Sequence, residues 1–248
     1  MLKILLEHKS VRKYSKLHIS DNSLNSILEA GTRASTTGNM QLYSMIVTKD
    51  DAMKKKLLPL HFGQKMVVEA PVVITFCADF NRFNKWCLQR NAETKAYDNF
   101  LSFVNAAIDA MLVAQNVAVA AESLNMGICY LGTTIYTADK IIELLNLPKG
   151  VVPITTLVIG FPDENPDITD RLPLESVVHY EHYKDYTKKE IDNFYKEKEN
   201  LEENKKFVKE NNKENLAQVF TDVRYKKEDN EHFSKEILKV LKKQGFMK

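Results

Sequence analysis

The chain has 248 residues, of which 44% are hydrophobic and 27% are charged, and its formal net charge at pH 7 is +2. This length predicts one large domain, or one domain with an appendage, whose core needs neither disulfides nor metal ions for stability. The composition argues against a disordered or collagen-like chain, and the near-neutral charge argues against a general nucleic-acid binder.

The cysteines and the apolar segments narrow the class of protein further. None of the three cysteines belongs to a CxxC pair, so neither a structural zinc site nor a disulfide framework is expected. The N-terminus is too charged for a signal peptide, and the most apolar stretch, residues 101–124, has unbroken apolar runs of only five residues. We therefore expect a cytoplasmic protein with no membrane partner.

The pattern of apolar residues predicts alternating helices and strands. Ser20 can cap a helix over residues 21–31, in which Leu24, Ile27 and Leu28 face inward. The elements expected after it are a strand at 43–48, a helix at 51–59, a buried strand at 72–77, a long helix at 97–124 ended by Met126 and Gly127, a strand at 128–131, a helix at 138–145 and a strand at 154–159. This order predicts an α+β sandwich.

The long helix at 97–124 is apolar on most sides, so a second subunit is expected to cover part of it. After residue 183 the composition changes, because 31 of the last 65 residues are charged and no proline occurs there. We therefore predict a folded core over residues 1–183 and a charged, helical C-terminal extension over residues 184–248 that wraps the core.

Common nucleotide and hydrolase motifs do not occur in the sequence. It contains no GxGxxG after a strand, no GxxxxGK[ST], no GxSxG and no HExxH. Four other segments carry polar groups that suit a ligand. In the first, an extended backbone would place His8, Ser10 and Arg12 on one face, where they suit a phosphate; the alternative is a polar strand edge with Arg12 in an ordinary salt bridge.

The other three segments are loops. Residues 34–39 combine small hydroxyl side chains with a glycine and suit an acceptor, although a solvated loop is the alternative. Residues 127–134 run from a buried strand into a glycine turn, where a flat ligand could lie near Tyr130; an ordinary turn is the alternative. Arg171 lies in a proline-stiffened loop and could reach an anion, or it could pair with Asp170.

Together these segments resemble the FMN-dependent nitroreductase family, in the branch of the NADPH-dependent oxygen-insensitive nitroreductases and flavin reductases. The most specific stretches are HKSVRKY (8–14), GQKMVVEAP (63–71), FCADFNR (76–82), AAESLNMGICYLG (120–132), residues 144–179 and LKKQGF (241–246). The resemblance implies a nitroreductase-like α+β sandwich, with a central antiparallel-rich sheet, flanking helices and a long central helix at the interface of a homodimer.

The resemblance also implies the site residues and the cofactor. The expected FMN contacts are His8, Lys9, Ser10, Arg12, Ser35, Thr36, Thr37, Asn39, Gln64, Tyr130, Leu131, Gly132, Thr133 and Arg171. The hydroxyl loop is expected to reach the FMN of the partner subunit. The sequence departs from the family at Thr133, which replaces the second glycine of a YIGG-like turn, and at Thr169 and Asp170, which replace a basic residue and a proline.

The implied activity is a two-electron transfer from NAD(P)H to nitroaromatics, quinones or free flavin by a ping-pong mechanism. It needs no catalytic side chain and no metal. NADPH is the expected reductant and NADH the alternative, because in the family a basic segment late in the chain binds the NADPH 2′-phosphate. This chain offers Lys205, Lys206, Lys209, Lys213 and Arg224 without a clear motif match, and the alternative is a solvated helix face. Other FMN chemistry on this fold, dehalogenation or flavin fragmentation, is an alternative, and so is a non-catalytic flavin-binding protein.

Overall fold

The computed structural model describes residues 2–247 of the chain. The α-helices are α1 (Leu2–Leu6), α2 (Asp21–Thr32), α3 (Asp51–Leu57), α4 (Met66–Glu69), α5 (Asn81–Gln89), α6 (Phe100–Ser123), α7 (Ala138–Leu144), α8 (Lys188–Asn200), α9 (Glu202–Glu210), α10 (Leu216–Val219) and α11 (Lys227–Gln244). The strands are β1 (Tyr43–Thr48), β2 (Val72–Asp79), β3 (Gly127–Leu131) and β4 (Val151–Gly160). Short 3₁₀ helices cover Thr37–Asn39, Leu58–His61, Lys95–Tyr97, Gly132–Thr137 and Leu174–Ser176.

The four strands form one sheet in the order β1-β2-β4-β3, and all three pairings are antiparallel. The two central strands are almost entirely buried, as their continuous apolar sequences require. This arrangement confirms the predicted α+β class with its antiparallel sheet. The strand predicted at 72–77 extends to Asp79, and the strand predicted at 154–159 begins at Val151.

Helix α6 covers one face of the sheet and packs against α2. Its buried residues form the main core with side chains of β2 and β4, among them Val113, Val117, Ile74 and Leu157. By length and composition α6 could also cross a membrane, and 39% of its most apolar window is buried in the structure. A core helix of a globular domain meets the same criteria, so this property of α6 is weak evidence for a membrane span.

Capping residues set the helix boundaries, and one of them corrects a prediction. Ser20 caps α2 as expected, since its hydroxyl accepts a hydrogen bond from the Ser23 N–H. The helix predicted at 51–59 ends at Leu57 and continues as a 3₁₀ helix. The chain leaves α6 through Asn125, whose φ of 60° supplies the left-handed residue, so the prediction that Gly127 ends this helix is wrong.

Gly127 instead allows a close approach of two chain segments. A Cβ atom on Gly127 would lie 2.6–2.9 Å from side-chain atoms of Val11. The backbone N–H of Val11 donates to the carbonyl of Ile128 at 2.9 Å, which joins the N-terminal segment to the free edge of β3. The missing side chain of Gly127 therefore permits this pairing.

The described residues form two compact units. The first comprises the chain up to Asp167 together with the residues from Lys235 onward, and it contains the sheet. The second, Ile168–Ser234, contains α8, α9 and α10, and α8 begins with a capping box between Thr187 and Glu190. Helices are present after residue 183, as expected, and the division into a core of 1–183 and a wrapping extension of 184–248 stays a prediction.

We predict that Gly127→Ala destabilises the protein by about 1–3 kcal/mol, because the new methyl group overlaps Val11 and must displace the N-terminal segment. The free energy of unfolding in urea measures this effect. Gly132→Ala is the matched control, since a Cβ atom there would have no neighbour within 4 Å. Equal stability of the Gly127→Ala variant and the wild type would contradict the close approach.

Candidate functional site

The N-terminal segment lies along the edge of β3 and brings three basic side chains there. Ser10 forms a parallel bridge with Ile128, and the Tyr14 hydroxyl donates to the Val11 carbonyl at 2.6 Å. The loop after β4 holds the segment from the other side, because the carboxylate of Glu164 accepts from the backbone N–H groups of Arg12 at 2.6 Å and Lys13 at 3.1 Å. His8, Lys9 and Arg12 are thus fixed within five residues.

The side chains of this segment have different partners. His8 Nδ1 lies 2.7 Å from Glu122 Oε1 of α6, and burial raises the pKa of Glu122 although the contact with His8 opposes that shift. Lys9 Nζ donates to Asn165 Oδ1 at 2.5 Å. Burial raises the pKa of the Cys129 thiol, and the positive charge of Arg12 and the Ser10 hydroxyl oppose that shift.

Arg12 is exposed and forms no ion pair among the described residues, so the expected alternative of an ordinary salt bridge is not supported. Its guanidinium remains available for an anion. Glu122 and Glu164 were not identified in the sequence, because the contacts that they make span more than 100 residues and lie in no local motif.

The turn after β3 is the second part of the site. The Leu131 side chain is fully buried in the core and cannot contact a ligand. Tyr130 packs against the main core and its hydroxyl donates to Gln115 Oε1 at 3.3 Å; burial raises the pKa of this phenol. Gly132 is exposed and adjoins open space, which leaves room for a flat ligand.

The turn brings together two expected site residues that are far apart in the sequence. The Thr133 hydroxyl lies 2.9 Å from His61 Nδ1 and accepts from Gln64 Nε2 at 3.5 Å. His61 was not identified in the sequence, where nothing distinguishes it from the other five histidines. It is fully buried, and burial lowers its pKa from 6.5 to about 4, so the imidazole is neutral at pH 7.

The hydroxyl loop between α2 and β1 is anchored on α6. Asp109 is fully buried, and its carboxylate accepts from the backbone N–H and the hydroxyl of Thr37 and from the backbone N–H of Leu42. Ser35 and Asn39 are exposed and Thr36 is half-buried. Within residues 2–247, no hydrogen bond connects this loop to the edge of β3.

Arg171 lies in the second unit, and its contacts differ from the ion pair with Asp170 that was the expected alternative. Its guanidinium donates to the backbone carbonyls of Thr169 at 3.2 Å and Asp170 at 2.9 Å. The carboxylate of Asp170 pairs instead with Lys198 at 2.8 Å. The interpretation of Arg171 as the ion-pair partner of Asp170 is therefore wrong.

Comparison with known proteins gives consistent results. The sequence profile of the nitroreductase family matches residues 5–161. The chain is 36% identical over 182 residues to the oxygen-insensitive NADPH nitroreductase of Salmonella typhimurium, which covers 73% of this chain and 74% of that protein. It is also 36% identical over 185 residues to the FMN reductase [NAD(P)H] of Bacillus subtilis, with 74% of each chain covered.

The fold has a solved counterpart of nearly equal length. A crystal structure of a Bacteroides fragilis protein superposes with a TM-score of 0.97 at 53% identity and covers 99% of this chain and 100% of that one. The similarity therefore includes the residues after 167 as well as those that the sequence profile matches.

We predict that His61 makes the protein sensitive to mild acid. Its pKa is about 4 in the folded protein and near 6.5 in the unfolded chain, so the unfolded chain binds more protons as the pH falls through this window. Between pH 7.5 and pH 5 the wild type should lose about 2 kcal/mol more stability in urea unfolding than His61→Asn does. His232→Asn, at an exposed position, is the control and should keep the wild-type pH dependence.

Proposed function

The chain belongs to the nitroreductase family, and we propose that it binds FMN and uses it to pass two electrons from NAD(P)H to nitroaromatics, quinones or free flavin. The observation that carries this proposal is the meeting of Gln64 and Thr133 beside the open turn at Gly132. These two residues are 69 positions apart, and the family resemblance assigns both to the flavin ring. Their convergence supports one site for a planar ring.

The residues present fit FMN in both of its parts. The phosphate and ribityl chain require cations and hydroxyl donors, which His8, Lys9, Ser10 and Arg12 supply at the edge of β3. The ring requires an open and flat surface with a few polar groups, which Gly132, Thr133 and Gln64 supply at the end of the same strand.

The protein's part in the reaction is binding and orientation. FMN held by these residues would supply the two-electron carrier between the nicotinamide and the acceptor. The open space at Gly132 gives both substrates access to one position, and this supports a ping-pong order in which NADP⁺ leaves before the acceptor binds. No side chain of the site has to act as a nucleophile.

NADPH is the proposed reductant, with NADH as the alternative. Several expected contacts to the 2′-phosphate already have partners in the second unit: Lys205 pairs with Glu202, Lys206 with Glu210 and Lys213 with Asp222. The Arg224 guanidinium stacks on Phe207 at 4.7 Å. Lys209 has no ion pair within residues 2–247, and exposed pairs exchange readily for a phosphate. The support for NADPH is therefore that the charge of Lys209 and the weakly paired charges of the other lysines are available to a phosphate.

A homodimer is the proposed assembly, because one face of α6 is apolar and exposed. Leu101, Ile108, Met111 and Leu112 are all at least 44% exposed, and their spacing places them on one side of the helix. The hydroxyl loop is anchored to the same helix through Asp109. A second copy on this face would cover the apolar stripe and would bring Ser35 and Thr36 of each subunit towards the site of the other.

We predict that the purified protein binds FMN, is yellow and oxidises NADPH faster than NADH when menadione or a nitrofuran is the acceptor. Parallel lines in double-reciprocal plots at several acceptor concentrations would support the ping-pong order. An FMN-loaded protein that oxidises neither nucleotide would favour a flavin-binding protein without this activity, and a protein that cannot be loaded with FMN would contradict the proposal.

Arg12→Ala is the variant that tests the phosphate contact. Loss of a charge-assisted hydrogen bond should raise the dissociation constant of FMN about tenfold to 100-fold in a fluorescence titration. Arg90→Ala is the matched control, because Arg90 is an exposed arginine whose guanidinium donates to the carbonyl of the adjacent Gln89. If Arg12→Ala binds FMN as tightly as the wild type does, Arg12 does not contact the FMN phosphate.

The dimer is tested by placing a charge on the apolar stripe. We expect light scattering to give twice the mass of the chain for the wild type and the mass of one chain for Ile108→Asp, because a buried unpaired carboxylate opposes association. The monomeric variant should also bind FMN more weakly, since it lacks the partner's hydroxyl loop. Leu88→Asp on α5 is the control at another exposed leucine, and it should remain dimeric.

A further inference from the structure

Side-chain contacts join the 3₁₀ helix Leu58–His61 and the residue after it, Phe62, to the 3₁₀ helix Gly132–Thr137. His61 Nδ1 lies 2.9 Å from the Thr133 hydroxyl, and the Thr137 hydroxyl donates to the Leu60 carbonyl at 2.8 Å. The rings of Phe62 and Tyr136 stack at 6.2 Å with an angle of 17° between their planes. The turn after β3 and the segment before Gln64 are thus held as one piece.

The hydrogen bonds at this junction have a direction. Gln64 Nε2 can only donate, so the Thr133 oxygen accepts from it and its own proton is free to be donated. His61 Nδ1 lies within reach of the same hydroxyl, and Nε2 is buried without a hydrogen-bond partner in the described part of the chain, so the proton of the neutral imidazole belongs on Nδ1, which donates to the Thr133 oxygen. His61 is fully buried, whereas Gln64 and Thr133 are half-buried. The chain of bonds therefore runs from the site into the core.

We propose that His61 is a positioning residue of the ligand site: through the Thr133 hydroxyl it fixes the orientation of the Gln64 carboxamide. With one N–H committed to Thr133, the carboxamide presents its oxygen and its second N–H in a defined arrangement beside Gly132. A threonine at position 133, where the family has glycine, thus has a use that a glycine could not supply. This inference rests on the proposed function, because the ligand that Gln64 would contact is FMN.

The three residues should behave as one unit in binding. An unsupported glutamine samples several rotamers and must be ordered when the ligand binds, whereas a glutamine held by Thr133 is already ordered. We expect His61→Leu, Thr133→Val and Gln64→Leu each to raise the FMN dissociation constant about fivefold to tenfold. The losses should not add in the double variant of His61→Leu and Thr133→Val. Its FMN dissociation constant should be no higher than that of whichever single variant binds FMN less tightly, because both changes break the same chain of hydrogen bonds.

Conservative variants, and a variant of the neighbouring Thr134, distinguish a positioning role from a loss of stability. His61→Asn keeps an N–H donor and Thr133→Ser keeps the hydroxyl, so both should keep the FMN affinity within about twofold of that of the wild type. Thr134→Val removes a buried hydroxyl that bonds to the Leu131 carbonyl and to Thr156 and takes no part in the chain from His61 to Gln64. It should lower the melting temperature without changing the FMN affinity or the visible spectrum of bound FMN.

A measurement without FMN tests the bond itself. In ¹⁵N spectra of the FMN-free protein, the Nδ1 signal of His61 should be that of a protonated donor and should shift in Thr133→Val but not in Thr134→Val. Unchanged FMN affinity in His61→Leu and Thr133→Val, or additive losses in the double variant, would overturn this inference while leaving the proposed function intact. Failure of the wild type to bind FMN would overturn both.

Discussion

The buried carboxylate of Asp109 is the constraint on which much of the arrangement depends. A charge with no exposure has to be compensated inside the protein, and three donors from residues 37–42 do this. They fix the hydroxyl loop against α6 and set the point at which the chain enters β1. Because Asp109 turns its charge inward, the outer face of α6 keeps an uncharged apolar stripe. Asp109 thus connects the hydroxyl loop, which is expected to reach the partner's FMN, with the apolar stripe of α6, which is expected to contact the partner.

The edge of β3 has a comparable role on the other side of the sheet. The segment at 8–13 has no helix or strand of its own, and it is positioned by the missing side chain at Gly127 and by Glu164. The bridge between Tyr14 and Pro162 adds a further backbone contact that holds the segment in place. With these contacts, the cations lie along the strand whose far end carries the turn at Gly132, so one strand defines both ends of the proposed site.

The fold could be predicted largely from local patterns, and the site only in part. The apolar run at 72–77 and the cap at Ser20 predicted β2 and α2 correctly because burial and capping are local requirements. Helix α5 was missed, since it is short and mostly polar and only one of its residues is buried. Gln64 and Thr133 came from the family resemblance. His61, Glu122 and Glu164 did not, because their roles arise from contacts between segments that only the folded chain brings together.

The same reasoning explains the departures from the family at Asp170 and Thr133. A negative charge at 170 would weaken an anion site if it acted alone, but Lys198 lies 2.8 Å from it and offsets its charge. The Arg171 guanidinium is held by backbone carbonyls, which carry no net charge to neutralise it. Thr133 likewise has two partners that a glycine could not bind. At both positions the substituted residue is bonded to a side chain remote in the sequence, so the effect of the change depends on that partner as much as on the residue itself.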